Sequence, residues 1–140
     1  MRKELFAIGF SMIVIVGFFS GCQESEIETV SFKGVTLVSD IVELANASLN
    51  YRYGQYNEVD KVTVQYLFHN IAERDITVKV TIELYDENDN LITIMGPARI
   101  SLPDDYTEHG FSPGINIMSY DGNSAHMVDH AIIIAVEEIE

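Results

Sequence analysis

The sequence predicts an all-β fold, an antiparallel β-sandwich of about seven strands. Three observations carry this. From Ile76 to Tyr85 apolar and polar residues alternate without a break. Turn-forming clusters recur about every 8–15 residues along the chain. Nothing shows the alternation of strands with long amphipathic helices that a parallel α/β fold requires. A small closed barrel is the alternative arrangement of the same strands.

Taken in order, Phe32 to Val38 is the first candidate strand. Ile41 to Asn46 is the one segment that fits a short helix, with Ser39 or Asp40 as its cap. Leu49, Tyr51 and Tyr53 then alternate with Ser48, Asn50 and Arg52, which marks a strand with the two tyrosines on the core side. Val62, Val64, Tyr66 and Phe68 alternate with Thr63, Gln65 and His69. In Ile76 to Tyr85 the buried face is Ile76, Val78, Val80, Ile82 and Leu84. Leu91 to Met95, continuing toward Leu102, and Phe111 to Met118 follow. His130 to Val136 is apolar on both faces, as a central strand would be. Turn chemistry separates these elements at Asn70 to Asp75, Asp86 to Asn90, Pro103 to Asp105, Pro113-Gly114 and Asp121 to Ser124.

With 140 residues the chain fits one domain. Its 47% apolar content is too high for a disordered chain. The lone Cys excludes an internal disulfide framework and a Cys-rich zinc site. Eight basic against 22 acidic side chains give a net charge of −14. That argues strongly against nucleic acid as a partner, because phosphate affinity rests on Lys and Arg.

Arg2 and Lys3 open the chain, and Leu5 to Phe19 runs with nothing more polar than Ser11. This run is short for a membrane span, which takes about 20 residues, and fits the apolar region of a secretory signal. It ends in Phe19-Ser20-Gly21-Cys22. The segment resembles the lipobox of prokaryotic lipoproteins, with Phe19 where Leu is usual. The resemblance implies cleavage between Gly21 and Cys22 and a diacylglyceryl thioether on Cys22. Two or more acyl chains suffice for stable anchoring, since each buried methylene contributes about 0.8 kcal/mol. The expected layout is a signal peptide over residues 1–21, the lipidated Cys22 with an acidic tether over 22–31, and a β-sandwich over 32–140. Loss of Arg2, Lys3 and Glu4 with the signal takes the net charge from −14 to −15. Glu24, Glu26 and Glu28 make Gln23 to Ser31 read as the tether, with a reach of about 30 Å at most.

From Val62 to Ile92 the order is strand, Asn70, loop, strand, Leu84-Tyr85-Asp86, acidic turn and Leu91-Ile92. This looks like the Ig-like modules of prokaryotic lipoproteins and secreted proteins named after a Phe-x-Leu-Tyr-Asp motif. Ile82 stands in the place of the Phe, Asn88 and Asp89 in that of the usual Asp-Gly, and Asp104 follows Pro103 where Gly is common. The resemblance implies an Ig-like sandwich. It implies no catalytic residue, with Tyr85 closing the strand end and Asp86 opening the turn.

Candidate sites are few. Asp86, Asn88 and Asn90 offer oxygen ligands at alternate positions, as an EF-hand loop does. Leu91 then stands where Gly is needed and no bidentate Glu follows, so a turn whose residues bond their own backbone is the plainer expectation. Met118, His126, Met127 and His130 are soft ligands suited to copper, against a loop followed by core residues. No Ser lies on a Gly-x-Ser-x-Gly elbow, and no glycine-rich phosphate loop is present. Asn46-Ala47-Ser48 is a glycosylation sequon, relevant only in a host with that pathway. Tyr56, in a loop, is the tyrosine expected at the surface. The expected function is a non-enzymatic, membrane-anchored lipoprotein outside the cytoplasm, needing no cofactor. It presents an acidic surface to a basic protein partner, which that charge would steer. Copper, calcium or small-ligand binding is the alternative.

Overall fold

The computed structural model describes residues 30–109 and 115–139. The lipobox and most of the tether, as well as Pro113-Gly114, lie outside them. The described residues form eight strands: β1 (Val30–Phe32), β2 (Val35–Val38), β3 (Val42–Tyr53), β4 (Val59–Asn70), β5 (Ile76–Tyr85), β6 (Leu91–Leu102), β7 (Asn116–Tyr120) and β8 (His130–Glu137). They make two sheets, ordered β1-β2-β8-β5-β6 and β3-β4-β7. The expected all-β sandwich is therefore what the chain forms. Every pairing is antiparallel except β2 with β8, which is parallel and runs from Val35↔Ala131 to Val38↔Ile134.

The core comes from the alternation. Val62, Val64, Tyr66 and Phe68 of β4 are buried against Val78, Val80, Ile82 and Leu84 of β5 and Ala131, Ile133 and Ala135 of β8. Val35 and Leu37 of β2 close one side. Phe68 is fully buried and its ring lies 5.3 Å from that of Tyr66. Burial of one such side chain is worth about 1.5–3 kcal/mol.

Four local expectations change. The segment from Ile41 to Asn46 is not a helix: all but its first residue open β3. Between Leu44 and Asn46 the register with β4 shifts, so one extra residue is inserted. Val42 and Leu44 face the core before this bulge, and Ala47 and Leu49 pack on it afterwards. A phase change of this kind imitates helical spacing in the sequence. The far end of β3 runs past the core, leaving Tyr51 39% and Tyr53 62% exposed rather than buried. Tyr56, at 83%, is exposed as expected. Val30 and Ser31 belong to β1, paired with Leu37 and Thr36, and not to the tether. Finally β8 is central in its sheet, but only one face is covered: Val136 is 46% exposed.

Two features fix the ends of the sandwich. Gly34 (φ 76°) turns β1 into β2, in a backbone region that only glycine occupies without strain. At the opposite end Asn70 is buried, and its amide donates to the carbonyls of Arg74 (2.8 Å), Leu102 (3.1 Å) and Pro103 (2.8 Å) while its oxygen accepts Ala72 N–H (2.8 Å). One side chain thus ties the end of β4 to the β4–β5 loop and to the end of β6. Among the described residues no helix is long and apolar enough to cross a membrane.

Candidate functional site

The chemistry-bearing residues gather at the end of the sandwich where β5 turns into β6 and the connection from β7 enters β8. Leu84 is fully buried and fixes the end of β5. Tyr85 is its last residue, and Asp86 opens the turn. Asp86 is buried. Its carboxylate accepts the backbone N–H of Asn88 (2.9 Å) and of Asn90 (2.9 Å), and the Asn90 side-chain amide (3.2 Å). The backbone closes the same loop, Asp89 N–H to Asp86 O and Asp86 N–H to Asn90 O, both 3.0 Å. Asp89 takes φ 64°, the left-handed conformation that Asp tolerates better than most residues. The Asn90 backbone N–H, helped by the Asn90 amide, the Asn88 N–H and nearby His130, holds the Asp86 carboxyl below the ordinary carboxylate range against the opposing effect of burial. Tyr85 and Asp86 thus act in the turn as strand end and cap.

From β8, His130 stacks on the Tyr85 ring with centroids 5.5 Å apart and planes at 10°. Its Nδ1 lies 2.9 Å from Asp129 Oδ2 and its Nε2 lies 3.1 Å from Asp89 Oδ1. The Tyr85 hydroxyl donates to Glu83 Oε1 at 2.6 Å, and that bond, before burial, raises the phenol's pKa. The connection preceding β8 is a 3-10 helix, Ala125–Met127. Ala125 and Val128 anchor it in the core. Tyr51 on β3 donates to Val128 O at 3.0 Å, and burial followed by the nearby Asp129 raises its pKa. A shallow hollow of about 370 Å³ lies between the turn and this helix, lined by Asp86, Glu87, Asn88, His126, Met127 and Asp129.

The fold therefore brings Asp86, Asn88 and His126 to one hollow, with Asn90 and His130 beside it. It does not bring Met118 there: that side chain packs on the core from β7, opposite Val64. Among the described residues no group of three or more His, Cys, Asp or Glu is disposed to hold a metal ion. The Asp86 oxygens already serve the turn, and both His130 nitrogens face separate carboxylates. Among the described residues the hollow presents carboxylates, an imidazole and a thioether to a ligand.

Two groups escaped the sequence reading. His69 on β4 lies between Asp105 (3.1 Å) and Glu43 (3.6 Å), contributed by the β6–β7 connection and β3. Glu108 accepts Phe68 N–H at 2.7 Å and the Asn116 amide at 2.9 Å, pinning that same connection across β4. Burial, with Glu108 adding to it, pushes the Tyr66 phenol up to about 12. No local spacing signals these groups, because each is assembled from residues distant in sequence.

No family model matches the chain, and no curated protein matches it. Among solved structures it is similar to the crystal structure of Campylobacter jejuni cj0090, with 7% identity, 76% of this chain and 100% of that chain covered, and a TM-score of 0.46.

Proposed function

We propose that the chain is a membrane-anchored lipoprotein outside the cytoplasm, cut before Cys22 and lipidated on it. Its Ig-like sandwich serves as a non-catalytic interaction module for a basic protein partner. The observation that carries this reading is the ordered series of basic start, apolar run, Ser20-Gly21 and the chain's single Cys. The fold supports the second half of it. The antiparallel β1–β2 hairpin turns at Gly34 beside the start of β8 and places Val30 beside Leu37, away from that turn. The end of the sandwich at which β8 begins carries Asp86, Glu87, Asp89, Asp121 and Asp129 on connections 86–90 and 121–129, which contain no Lys or Arg, with Lys33 in the neighbouring β1–β2 turn and Arg52 near Asp121. Long-range attraction of this kind steers basic partners and weakens with salt.

The test is a Cys22→Ser chain followed by fractionation and mass spectrometry in a lipoprotein-processing bacterial host. The expected result is loss of lipid and of processing, with a precursor-sized or soluble product. A normally sized, membrane-bound Cys22→Ser product would refute the anchor. Pull-downs with the acidic end as bait should enrich basic proteins that elute with salt, and enrichment no more basic than background would refute the partner class.

A further inference from the structure

The outer face of the five-stranded sheet is unlike the rest of this acidic surface. In the middle of the face, between the Thr77–Ser101 and Tyr85–His130 pairs, the outward residues fall in three rows across the strands. The first is Val136, Lys79 and Arg99; the second Val38, Ile134 and Thr81; the third Thr36, Ile132, Glu83 and Ile94. Their neighbours along each strand, such as Val80, Ile82, Ala131, Ile133 and Ala135, are buried in the core, so these point away from it. Val38, Val136 and Ile94 are 40%, 46% and 53% exposed. Ile132, Ile134 and Val136 of β8 with Val38 of β2 make one apolar strip, a kind of surface that marks a contact site.

The charges on the face are arranged with a direction. Lys79 and Arg99 occupy the first row and Glu83 the third, on either side of an uncharged middle row. Arg99 is held by Glu138 at 2.7 Å, whereas Lys79 makes no ion pair among the described residues. A two-fold axis lying along the middle row turns the first row of one copy over the third row of another. Lys79 then faces Glu83 of the second copy, whose other oxygen is free of the Tyr85 bond, Val136 faces its Ile132, the Arg99 stem lies over its Ile94, and Ile134 and Thr81 face themselves. An axis along the strands would instead set the Lys79 rows against each other, which like charge opposes. The face is thus complementary to itself in one orientation, the property that an isologous interface requires.

We infer that the outer face of the β2-β8-β5-β6 sheet is a self-association surface, on which a second copy of this chain packs face to face about an axis through Ile134 and Thr81. Such sheets stack about 10 Å apart with strands within about 30° of each other. The contact goes beyond the proposed anchoring and partner binding and depends on neither.

A residue on a two-fold axis faces its own copy, and because sheets stacked about 10 Å apart hold such residues beyond direct disulfide reach, the test is trapping with a short bis-maleimide cross-linker in the full-length chain. Thr81→Cys should give a cross-linked dimer on denaturing gels well above the level of the unsubstituted chain, whose Cys22 sets the background. Ser119→Cys, exposed on the other sheet, should stay at that background. Adding Lys79→Glu to Thr81→Cys should abolish the dimer, and adding Glu83→Lys to both should restore it. Equal trapping at residues 81 and 119, no trapping at 81, or failure of the charge exchange to restore it would each overturn the inference. Protection of the Thr81→Cys thiol from maleimide in a strictly monomeric chain would overturn it too, since other parts of the chain would then cover the face.

Discussion

Replacing Asn70 by Ala should cost the fold about 3–5 kcal/mol. The figure follows from what the side chain satisfies. One of its bonds, to Leu102 O, is fully buried, and those to Arg74 O, Pro103 O and Ala72 N–H are partly buried. Each buried group left without a partner costs about 1–3 kcal/mol, and water offsets part of that where it can reach. A domain of this size has only about 5–15 kcal/mol in total, so the loss would be a large fraction. With about 2.1 cal/mol/K of unfolding entropy per residue, 3 kcal/mol lowers Tm by about 10–15 °C. Asn70→Asp sharpens the test. It keeps the acceptor for Ala72 but sets a carboxylate against the three carbonyls that now receive an amide. Those carbonyls and burial raise the pKa of the new carboxyl, so the variant should be poorer than wild type at pH 7 and recover partly as acid protonates it. Urea unfolding at several pH values reads both effects. An Asn70→Ala cost below about 1 kcal/mol, or an Asn70→Asp variant as stable as the parent at neutral pH, would refute the reasoning.

Further outcomes follow from the same structure. The Asp86 carboxyl is held low in the fold, so its contribution is complete above the unfolded value near 3.8 and is lost as pH falls through the folded one; Asp86→Asn should flatten that acid limb of the stability profile, and an unchanged limb would contradict the cap. Tyr66 is raised, to about 12, so its contribution is present below its unfolded value near 10 and disappears as pH climbs toward 12. Tyr66→Phe should remove that alkaline loss, and in a tyrosinate absorbance titration that variant should lose the latest-titrating phenol. Gly34→Ala should cost about 1–2 kcal/mol, from the left-handed backbone alone. The added Cβ would also sit 3.1 Å from Leu49 Cδ2, so a neutral thermal shift would argue against the turn geometry.

What the sequence showed and what it hid divide along one physical line. Strands β4 and β5 were readable nearly residue by residue, because β5 keeps an unbroken period of two with one face buried and β4 departs from it only at Leu67, which is buried on the other face. Strand β3 was misread at its start, because the bulge at Leu44/Asn46 shifts the phase in mid-strand. The tyrosines at its end kept the right phase, but phase says which way a side chain points and not whether anything lies opposite it. For the same reason His130 to Val136 read as covered on both faces, although Val136 is half exposed. At the candidate site the Asp86 turn was legible as Asx chemistry, local in sequence. The stack of His130 on Tyr85 and its two carboxylates were not, because β5 and β8 meet only through the folded sheet. The Met118–His126–His130 grouping failed for the converse reason: nearness along the chain placed these residues on different elements.

The parallel pair of β2 with β8 carries a consequence for how the molecule is assembled in time. Val35 bonds alongside Ala131, nearly the whole domain later in the chain. The β1–β2 hairpin therefore waits unpaired on that flank until β8 arrives. Closing so wide a loop is slow, which favours late, all-at-once completion over piecewise growth. A chain that has not yet made β8 leaves β2 and β5 without the neighbour they share, and the sheet closes only when that strand is in place.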